Sequence, residues 1–208
     1  MKLYYSPAAC SLVPHILLCE ANLPHTLIKV DTGTHLTEDG IDFYTINPKG
    51  HVPVLELDDG QRLSEGPIIA QFIADHARRE DLMPGAGSMA RYRVMEWQNY
   101  ITSELHKSFS PLFNPAFDAP AKAVFAANLG KKFSWVSDQL GAKPFLTGDS
   151  FTAADAYLFT VAGWAKFVNL DLSSGDGGDF RHLQAFLERV AARAAVQEAM
   201  KAEGLQVA

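Results

Sequence analysis

Cys10 is the side chain in this sequence with the clearest means of doing chemistry. It lies in Tyr5-Ser6-Pro7-Ala8-Ala9-Cys10-Ser11, between a strand-like run and the start of a helix-like one. A helix N-terminus stabilises a thiolate relative to a thiol, so this location predicts a lowered pKa for Cys10. The alternative is an inert, partly buried thiol. The fourth position of a Cys-x-x-Cys pair is Val13, which excludes a dithiol reaction.

A second chemical feature is the turn Asn47-Pro48-Lys49-Gly50-His51-Val52-Pro53, which precedes an apolar run. Asn-Pro and Lys-Gly are turn dipeptides, and proline tolerates the first position of a strand. If the Val52–Pro53 bond is cis, the N–H and C=O groups of Val52 are left as a short unpaired strand edge for a peptide-like ligand. The alternative is a surface turn before an edge strand.

The segment Ser64-Glu65-Gly66-Pro67 predicts the start of a helix, with Ser64 as its N-cap. The backbone N–H groups of Glu65 and Gly66 can hold a carboxylate, and the Glu65 side chain can meet an ammonium group. The alternative is a first-turn glutamate that complements the helix dipole.

Other polar residues give weaker signals. Asn99, Ser103, His106 and Lys107 share one face of a predicted helix, which by itself is typical of a solvated surface. The seven histidines are dispersed, so we predict no metal site. Cys19 falls on the buried face of the first helix, where an inert thiol is expected.

The elements that position these residues fall into two groups. Strand and helix patterns alternate in the order β-α-β-(α)-β-β-α over the first 80 residues, which predicts an α/β domain over residues 1–80. After residues 81–87 no strand pattern appears, and residues 88–208 are predicted to form an all-α domain. Its predicted helices span residues 88–110, 120–140, 152–168, about 183–190 and 196–203, with a flexible loop over 173–178. Thr152-Ala153-Ala154-Asp155 predicts a capping box for the buried central helix.

Composition narrows the classes of function. The chain has 208 residues, of which 48% are hydrophobic and 20% charged, as in an ordinary globular protein. A net charge of −6 without a basic patch disfavours a nucleic-acid partner. The sequence has no long apolar run and only two cysteines, so we expect a cytoplasmic protein that does not bind membranes.

Five segments together resemble the glutathione S-transferases, specifically the bacterial, cysteine-containing beta class. They follow the family's order through nearly the whole chain: Met1-Lys2-Leu3-Tyr4-Tyr5 with Ala9-Cys10-Ser11, Asn47 to Pro53, Leu63-Ser64-Glu65-Gly66, Ser103-Glu104-Leu105-His106-Lys107, and Phe151-Thr152-Ala153-Ala154-Asp155. The resemblance implies a thioredoxin-like N-terminal domain, an all-α C-terminal domain, and a homodimer with its glutathione site near the interface. Glutathione is then a substrate, and no cofactor is expected.

The resemblance also implies roles for individual residues. It places Cys10 beside the glutathione sulfur, with His106 and Lys107 near the thiol, where they favour the nucleophilic thiolate. It places Ser103 and Glu104 near the γ-glutamyl group, across the dimer. The remaining expected site residues are Ser11 and Tyr5 as further donors to the sulfur, Val52 and Pro53 for the peptide backbone, Glu65 and Gly66 for the γ-glutamyl group, and Asn99 and Trp164 as lining of the cleft.

One departure concerns position 35, where the family usually has a lysine that holds the glycine carboxylate of glutathione. Here the residue is His35, which is shorter and mostly neutral at pH 7. We therefore expect weaker glutathione binding that tightens below about pH 6.5, where a free histidine side chain becomes cationic.

Three functions fit these features. In the first, the glutathione thiolate attacks an electrophilic, mostly apolar co-substrate. In the second, Cys10 forms a mixed disulfide with glutathione and supports disulfide reduction, peroxide reduction or reductive dehalogenation. In the third, the cleft carries apolar ligands without catalysis. The Glu65 position and the Val52-Pro53 motif both keep the residues of the family pattern, which favours the two enzymatic functions over the carrier function.

Overall fold

The computed structural model describes residues 1–173 and 179–206. It divides into two compact units, one formed by Met1–Pro84 with the segment that begins at Ala191, the other by Gly85–Val190. Residues 174–178 of the predicted flexible loop lie outside the described residues.

The first unit is built on a five-stranded sheet with the strand order β3-β2-β1-β4-β5. Its elements are β1 (Lys2–Tyr5), α1 (Leu12–Glu20), β2 (Thr26–Asp31), β3 (Leu36–Thr37), a 3₁₀ turn (Phe43–Thr45), β4 (Val54–Glu56), β5 (Arg62–Ser64), α2 (Gly66–His76) and α8 (Ala194–Ala202). β1 pairs in parallel with β2 and antiparallel with β4, and Tyr4 lies opposite Ile28 and Val54. Because β1 and β2 are parallel, the chain between them must cross the sheet, and α1 makes that crossover. The predicted thioredoxin-like fold is confirmed.

Helix α1 is buried on nearly all sides, whereas the sequence pattern predicted a single apolar face. Its buried residues are Leu12, Val13, Pro14, His15, Ile16, Leu17, Leu18 and Cys19. The reason is that α1 packs against both α2 and α8. A helix that packs against two other helices keeps little solvated surface.

The segment that begins at Ala191 belongs to the first unit, whereas the sequence analysis assigned all of residues 88–208 to the second domain. The Arg193 guanidinium forms two hydrogen bonds with the Glu20 carboxylate, at 2.6 and 3.0 Å. The Glu203 carboxylate accepts a hydrogen bond from the Ala8 N–H at 3.0 Å and contacts His15 Nδ1 at 2.9 Å. These contacts group α8 with the first unit.

Two local predictions in the first unit are also corrected. Strand β3 was missed, because two residues are too short to show a period. Ser64 ends β5 and is not the N-cap of α2; the N-cap is Glu65, whose φ of 72° is uncommon for a residue other than glycine.

The second unit is helical. Its elements are α3 (Met89–Tyr100), a π-helix (Ile101–Leu105), a 3₁₀ helix (His106–Phe109), α4 (Ser110–Phe113), α5 (Ala119–Leu140), α6 (Ala153–Ala162), a second 3₁₀ helix (Gly163–Val168) and α7 (Arg181–Ala191). The single α-helix predicted over 88–110 is thus interrupted, since five residues adopt the wider π geometry, which is frequent at functional sites. Among the described residues, no helix is long and apolar enough to span a bilayer.

The predicted capping box at the start of α6 is confirmed. One Asp155 oxygen accepts hydrogen bonds from the N–H and hydroxyl of Thr152, each at 2.8 Å, and the other accepts from the Leu146 N–H at 2.8 Å. The carboxylate is fully buried, and this burial raises its pKa to about 6. Asp155 therefore fixes both the helix start and the preceding turn.

We predict that Asp155→Ala lowers the free energy of unfolding by about 2–4 kcal/mol, because it leaves buried donors without an acceptor. Urea denaturation followed by circular dichroism measures this. The control is Asp149→Ala, an exposed carboxylate three residues before the cap, for which we expect a change of less than about 0.5 kcal/mol. Equal losses in the two variants would contradict the assignment.

Candidate active site

The corner before β4 has the expected cis bond between Val52 and Pro53. Because β4 runs antiparallel to β1, the chain that leaves β1 lies beside the chain that enters β4. The Cys10 thiol there donates a hydrogen bond to the Val52 carbonyl oxygen, with an Sγ–O distance of 3.2 Å. The expectation that both backbone groups of Val52 are unpaired is therefore corrected for the C=O. Within the described ranges the Val52 N–H has no hydrogen-bond partner.

The pKa of Cys10 is raised, whereas the sequence analysis predicted a lowered value. Burial, with a smaller contribution from the nearby negative charge of Glu65, raises the pKa of the thiol to about 11. The backbone N–H groups of Cys10 and Ser11 lower the pKa, as a helix start should, but their effect is smaller than the desolvation of the thiolate. Cys10 is therefore a protonated thiol at neutral pH and acts as a hydrogen-bond donor.

Ser11 holds the loop between β1 and α1. Its hydroxyl donates to the Ser6 carbonyl oxygen and accepts from the Ser6 N–H, both at 3.1 Å, and the residue is fully buried. A serine hydroxyl has one proton, and Ser6 already receives it. Ser11 therefore has a structural role in this loop, and its predicted donation to the glutathione sulfur stays a prediction.

Tyr5 is buried at the end of β1, and its ring lies beside the ring of His15, with a centroid distance of 6.3 Å. Burial raises the pKa of its hydroxyl, followed by the charges of Glu203 and Glu38. The hydroxyl therefore stays protonated, as a donor must. Its predicted role toward the glutathione sulfur stays a prediction.

At the start of α2, where the sequence predicts an anion and ammonium site, the Glu65 side chain has a cationic partner within the chain. The Glu65 carboxylate accepts a hydrogen bond from the Lys49 ammonium at 2.5 Å, and the same ammonium lies 2.9 Å from Ser64 Oγ. The Asn47 side chain holds the turn that carries Lys49 through its hydrogen bonds to the His51 C=O and the Lys49 N–H. Glu65 thus pairs with the ammonium group of Lys49, and its predicted contact with a ligand ammonium stays a prediction.

His35 lies in the first unit against the turn. Its ring packs against the Tyr44 ring at a centroid distance of 4.7 Å and an interplanar angle of 37°. A Cβ atom at Gly50 would meet both the Tyr44 ring at 2.6 Å and His35 Nδ1 at 3.2 Å. Glycine is therefore required at position 50, where φ is 68°. His35 Nδ1 is buried and has no hydrogen-bond partner among the described residues. The expected contact with a glycine carboxylate stays a prediction.

In the second unit, His106 is oriented by aromatic residues. Its Nδ1 lies 2.7 Å from the Tyr157 hydroxyl, and its ring meets Trp164 edge-on at a centroid distance of 4.7 Å. Trp164 is buried and also packs against Phe109. Sequence analysis did not identify Tyr157 as a site residue, although it is one of the apolar and aromatic residues assigned to the central helix.

The other predicted residues of the second unit lie on or beside the π-helix. Ser103 donates to the Asn99 carbonyl oxygen at 3.1 Å, and Asn99, Ser103 and Lys107 are exposed. Glu104 forms an ion pair with Lys132 at 2.9 Å, and this contact lowers the pKa of the exposed carboxylate. The negative charge of Glu104 is thus compensated by a lysine of its own unit. Roles across a dimer stay predictions.

One group of residues was missed by the sequence analysis. His15, Cys19 and His25 each place a ligand-type atom within 4.8 Å of the others. His15 and Cys19 are four residues apart on α1, and that spacing brings side chains together on a helix face. The i, i+4 spacing of His15 and Cys19 could have indicated the cluster from the sequence. His25 comes next to them only when the chain folds.

These two units, a thioredoxin-like domain with a cis-proline corner and a helical domain, define a class of protein that the comparisons identify. The family model for the N-terminal domain of glutathione S-transferase matches residues 8–76, and the model for the C-terminal domain matches residues 100–194. Glutathione S-transferase GstA from Escherichia coli O157:H7 is 45% identical over 206 residues, which cover 99% of this chain and 100% of that relative.

Solved structures agree. The bacterial glutathione S-transferase BphK, solved as a ternary complex, is 50% identical with a TM-score of 0.93 over 99% of this chain and all of that one. A beta-class enzyme from Sphingomonas chungbukensis and a sphingomonad enzyme complexed with glutathione are each 40% identical over 99% of this chain and all of theirs, with TM-scores of 0.93 and 0.92.

The chain belongs to the glutathione S-transferase family. Its structural neighbours place it with the bacterial beta class, and the predicted enzymatic function, a transferase that uses glutathione, is confirmed at the level of the family.

We predict that Cys10 alkylates slowly in the absence of glutathione. A pKa of about 11 leaves far less thiolate at pH 8 than an ordinary cysteine has, so the rate with iodoacetamide should be roughly 100-fold lower. The measurement uses Cys19→Ala protein, in which Cys10 is the remaining thiol, and the same protein unfolded in urea as its control. A folded rate equal to the unfolded rate would contradict the raised pKa.

Proposed function

We propose that the chain binds glutathione at the corner formed by Cys10, Val52 and Glu65 and transfers its thiolate to electrophilic, mostly apolar co-substrates. The observation that carries this proposal is the convergence of the three groups: the Cys10 thiol contacts the Val52 carbonyl oxygen, and the Glu65 charge acts on that thiol. A thiol donor, a strand edge and a carboxylate at a helix start correspond to the sulfur, the peptide and the γ-glutamyl ammonium of one molecule of glutathione.

In this proposal, Val52 supplies its N–H as a donor to the peptide backbone of glutathione. Glu65 exchanges the Lys49 ammonium for the ammonium of the ligand, which releases Lys49 to approach a carboxylate. Cys10 acts through its proton, because a thiol with a pKa of about 11 is a donor rather than a nucleophile at neutral pH. This property favours conjugation over the mixed-disulfide reaction.

His106 is proposed to assist formation of the glutathione thiolate. The Tyr157 hydroxyl and the Trp164 ring fix the orientation of its imidazole. An imidazole held in one orientation can accept or donate a proton at a defined point without reorganisation, which is the basis of general acid–base catalysis.

The remaining parts of the proposal concern the assembly and its setting. We propose a homodimer, as the family resemblance implies, with no cofactor beyond the substrate glutathione. A cytoplasmic location is supported by the two cysteines, which are both free thiols in the described structure.

Glu65→Gln tests the binding site. We predict that it raises the Kd for glutathione roughly 10- to 100-fold, because it removes a charge-assisted hydrogen bond while keeping the size of the side chain. Isothermal titration with glutathione measures this. Glu80→Gln, an exposed glutamate after α2, is the matched control and should keep the wild-type Kd. A wild-type Kd in Glu65→Gln would contradict the proposed site.

A comparison of two substrates tests the reaction. We expect the wild type to conjugate an aryl halide, His106→Ala to lose roughly 10²-fold in kcat through loss of proton transfer, and Cys10→Ala to retain most of the activity. His182→Ala is the control in the second unit. A glutathione mixed disulfide is assayed in parallel with the same variants.

The two assays separate the alternatives. Turnover of the mixed disulfide that disappears in Cys10→Ala, with conjugation intact, would demonstrate a redox role beside the transferase. Binding of glutathione without turnover of either substrate would favour a ligand carrier and contradict the proposed function.

A further inference from the structure

The first unit contains a cluster of metal-ligand side chains that the proposed reaction does not use. His15 and Cys19 are buried on one face of α1, and His25 is partly exposed immediately before β2. One ligand-type atom from each of the three residues lies within 4.8 Å of the others. The rings of His15 and His25 meet edge-on, at a centroid distance of 5.4 Å and an interplanar angle of 77°.

Each imidazole is held by a hydrogen bond on its Nδ1 atom. His15 Nδ1 lies 2.9 Å from Glu203 Oε1, and His25 Nδ1 lies 2.8 Å from the Leu23 carbonyl oxygen. A carbonyl oxygen and a carboxylate are acceptors, so both Nδ1 atoms carry the proton. A metal-binding imidazole is neutral, so with its proton on Nδ1 each ring would bind a metal ion through Nε2. This is how outer partners orient the histidines that bind metals.

Carboxylates surround the Cys19 side of the cluster, and one of them, Glu20, is paired with the Arg193 guanidinium. The carboxylates of Glu20, Glu198 and Glu203 act electrostatically on the Cys19 sulfur. Both Glu203 oxygens are occupied, one at His15 and the other at the Ala8 N–H, so Glu203 orients a ligand and is not one itself. The partial exposure of His25 provides access from solvent.

We propose that His15, Cys19 and His25 bind a divalent zinc-type metal ion through two imidazole nitrogens and one thiolate. Imidazole and thiolate together select metals of this class over calcium and magnesium, which prefer oxygen ligands. Three protein ligands leave the fourth tetrahedral position for a water molecule or a small ligand.

The cluster needs little rearrangement to bind the ion. Metal–nitrogen bonds of about 2.0–2.1 Å and a metal–sulfur bond of about 2.3 Å put the two nitrogens and the sulfur of a tetrahedral site roughly 3.3–3.6 Å apart. Because the three ligand-type atoms lie within 4.8 Å of one another, no pair has to close by more than about 1.5 Å. Binding breaks the S–H bond of Cys19, forms the metal–sulfur bond and releases one proton to solvent, with no change in oxidation state.

The test uses Co²⁺ as a spectroscopic probe, added to chelator-treated full-length protein with the Cys10→Ala substitution, which removes the other thiol. We expect a sulfur-to-cobalt charge-transfer band that saturates at one equivalent and is lost when Zn²⁺ is added. Cys19→Ala should abolish the band, and His25→Ala should weaken Co²⁺ binding at least tenfold. His76→Ala, an exposed histidine at the end of α2, is the matched control and should bind as before.

Glu203→Gln separates the orienting role from ligation. It keeps the size of the side chain, and we expect it to raise the Co²⁺ dissociation constant roughly 10- to 100-fold while the charge-transfer band keeps its shape. Circular dichroism of every variant verifies the fold. The proposal is overturned if Cys10→Ala protein gives no charge-transfer band, or if the band persists in folded Cys19→Ala protein.

Discussion

The pairing of β1 with β4 is the constraint on which the candidate site depends. β4 runs antiparallel to β1, with Tyr4 opposite Val54. The C-terminal end of β1 and the N-terminal end of β4 therefore lie next to each other, at the same end of the two strands. The chain after β1 turns into α1, and the chain before β4 turns at Pro53. Cys10 and Val52 meet for this reason, although they are 42 positions apart. A shift of one residue in the register would turn every side chain of the shifted strand to the opposite face and displace the two turns from each other.

Burial between these two turns determines the pKa of the Cys10 thiol and therefore its chemistry. The start of α1 supplies N–H groups that favour a thiolate, and the location in the sequence correctly indicates them. The loop that carries Cys10 is nevertheless closed by Ser11 on one side and covered by the corner at Val52 on the other. Removal of water disfavours the thiolate more than the N–H groups favour it, and the pKa rises to about 11. The same residue type at the same helix position therefore has a different chemistry, because the neighbours differ.

The features that were predicted correctly are those in which partners lie close in the sequence. Thr152 and Asp155 are three residues apart, and the turn before Val52 is defined by its own dipeptides. The features that were missed join distant segments. Glu203 meets His15 across 188 positions, and no local pattern indicates that contact. The π-helix at Ile101 was also missed, since a turn with one extra residue hardly disturbs an apolar pattern of period 3.6.

Glu203 shows why the last helix must belong to the first unit. One of its oxygens contacts His15 inside α1, and the other accepts the N–H of Ala8, whose φ of 62° is uncommon for alanine. Both the histidine and the carboxylate are almost fully buried, so neither can leave its partner without a large desolvation cost. The loop before Cys10 and the metal-ligand cluster on α1 therefore share one support. A displacement of the Glu203 side chain acts on both, because each of its two carboxylate oxygens contacts one of these partners.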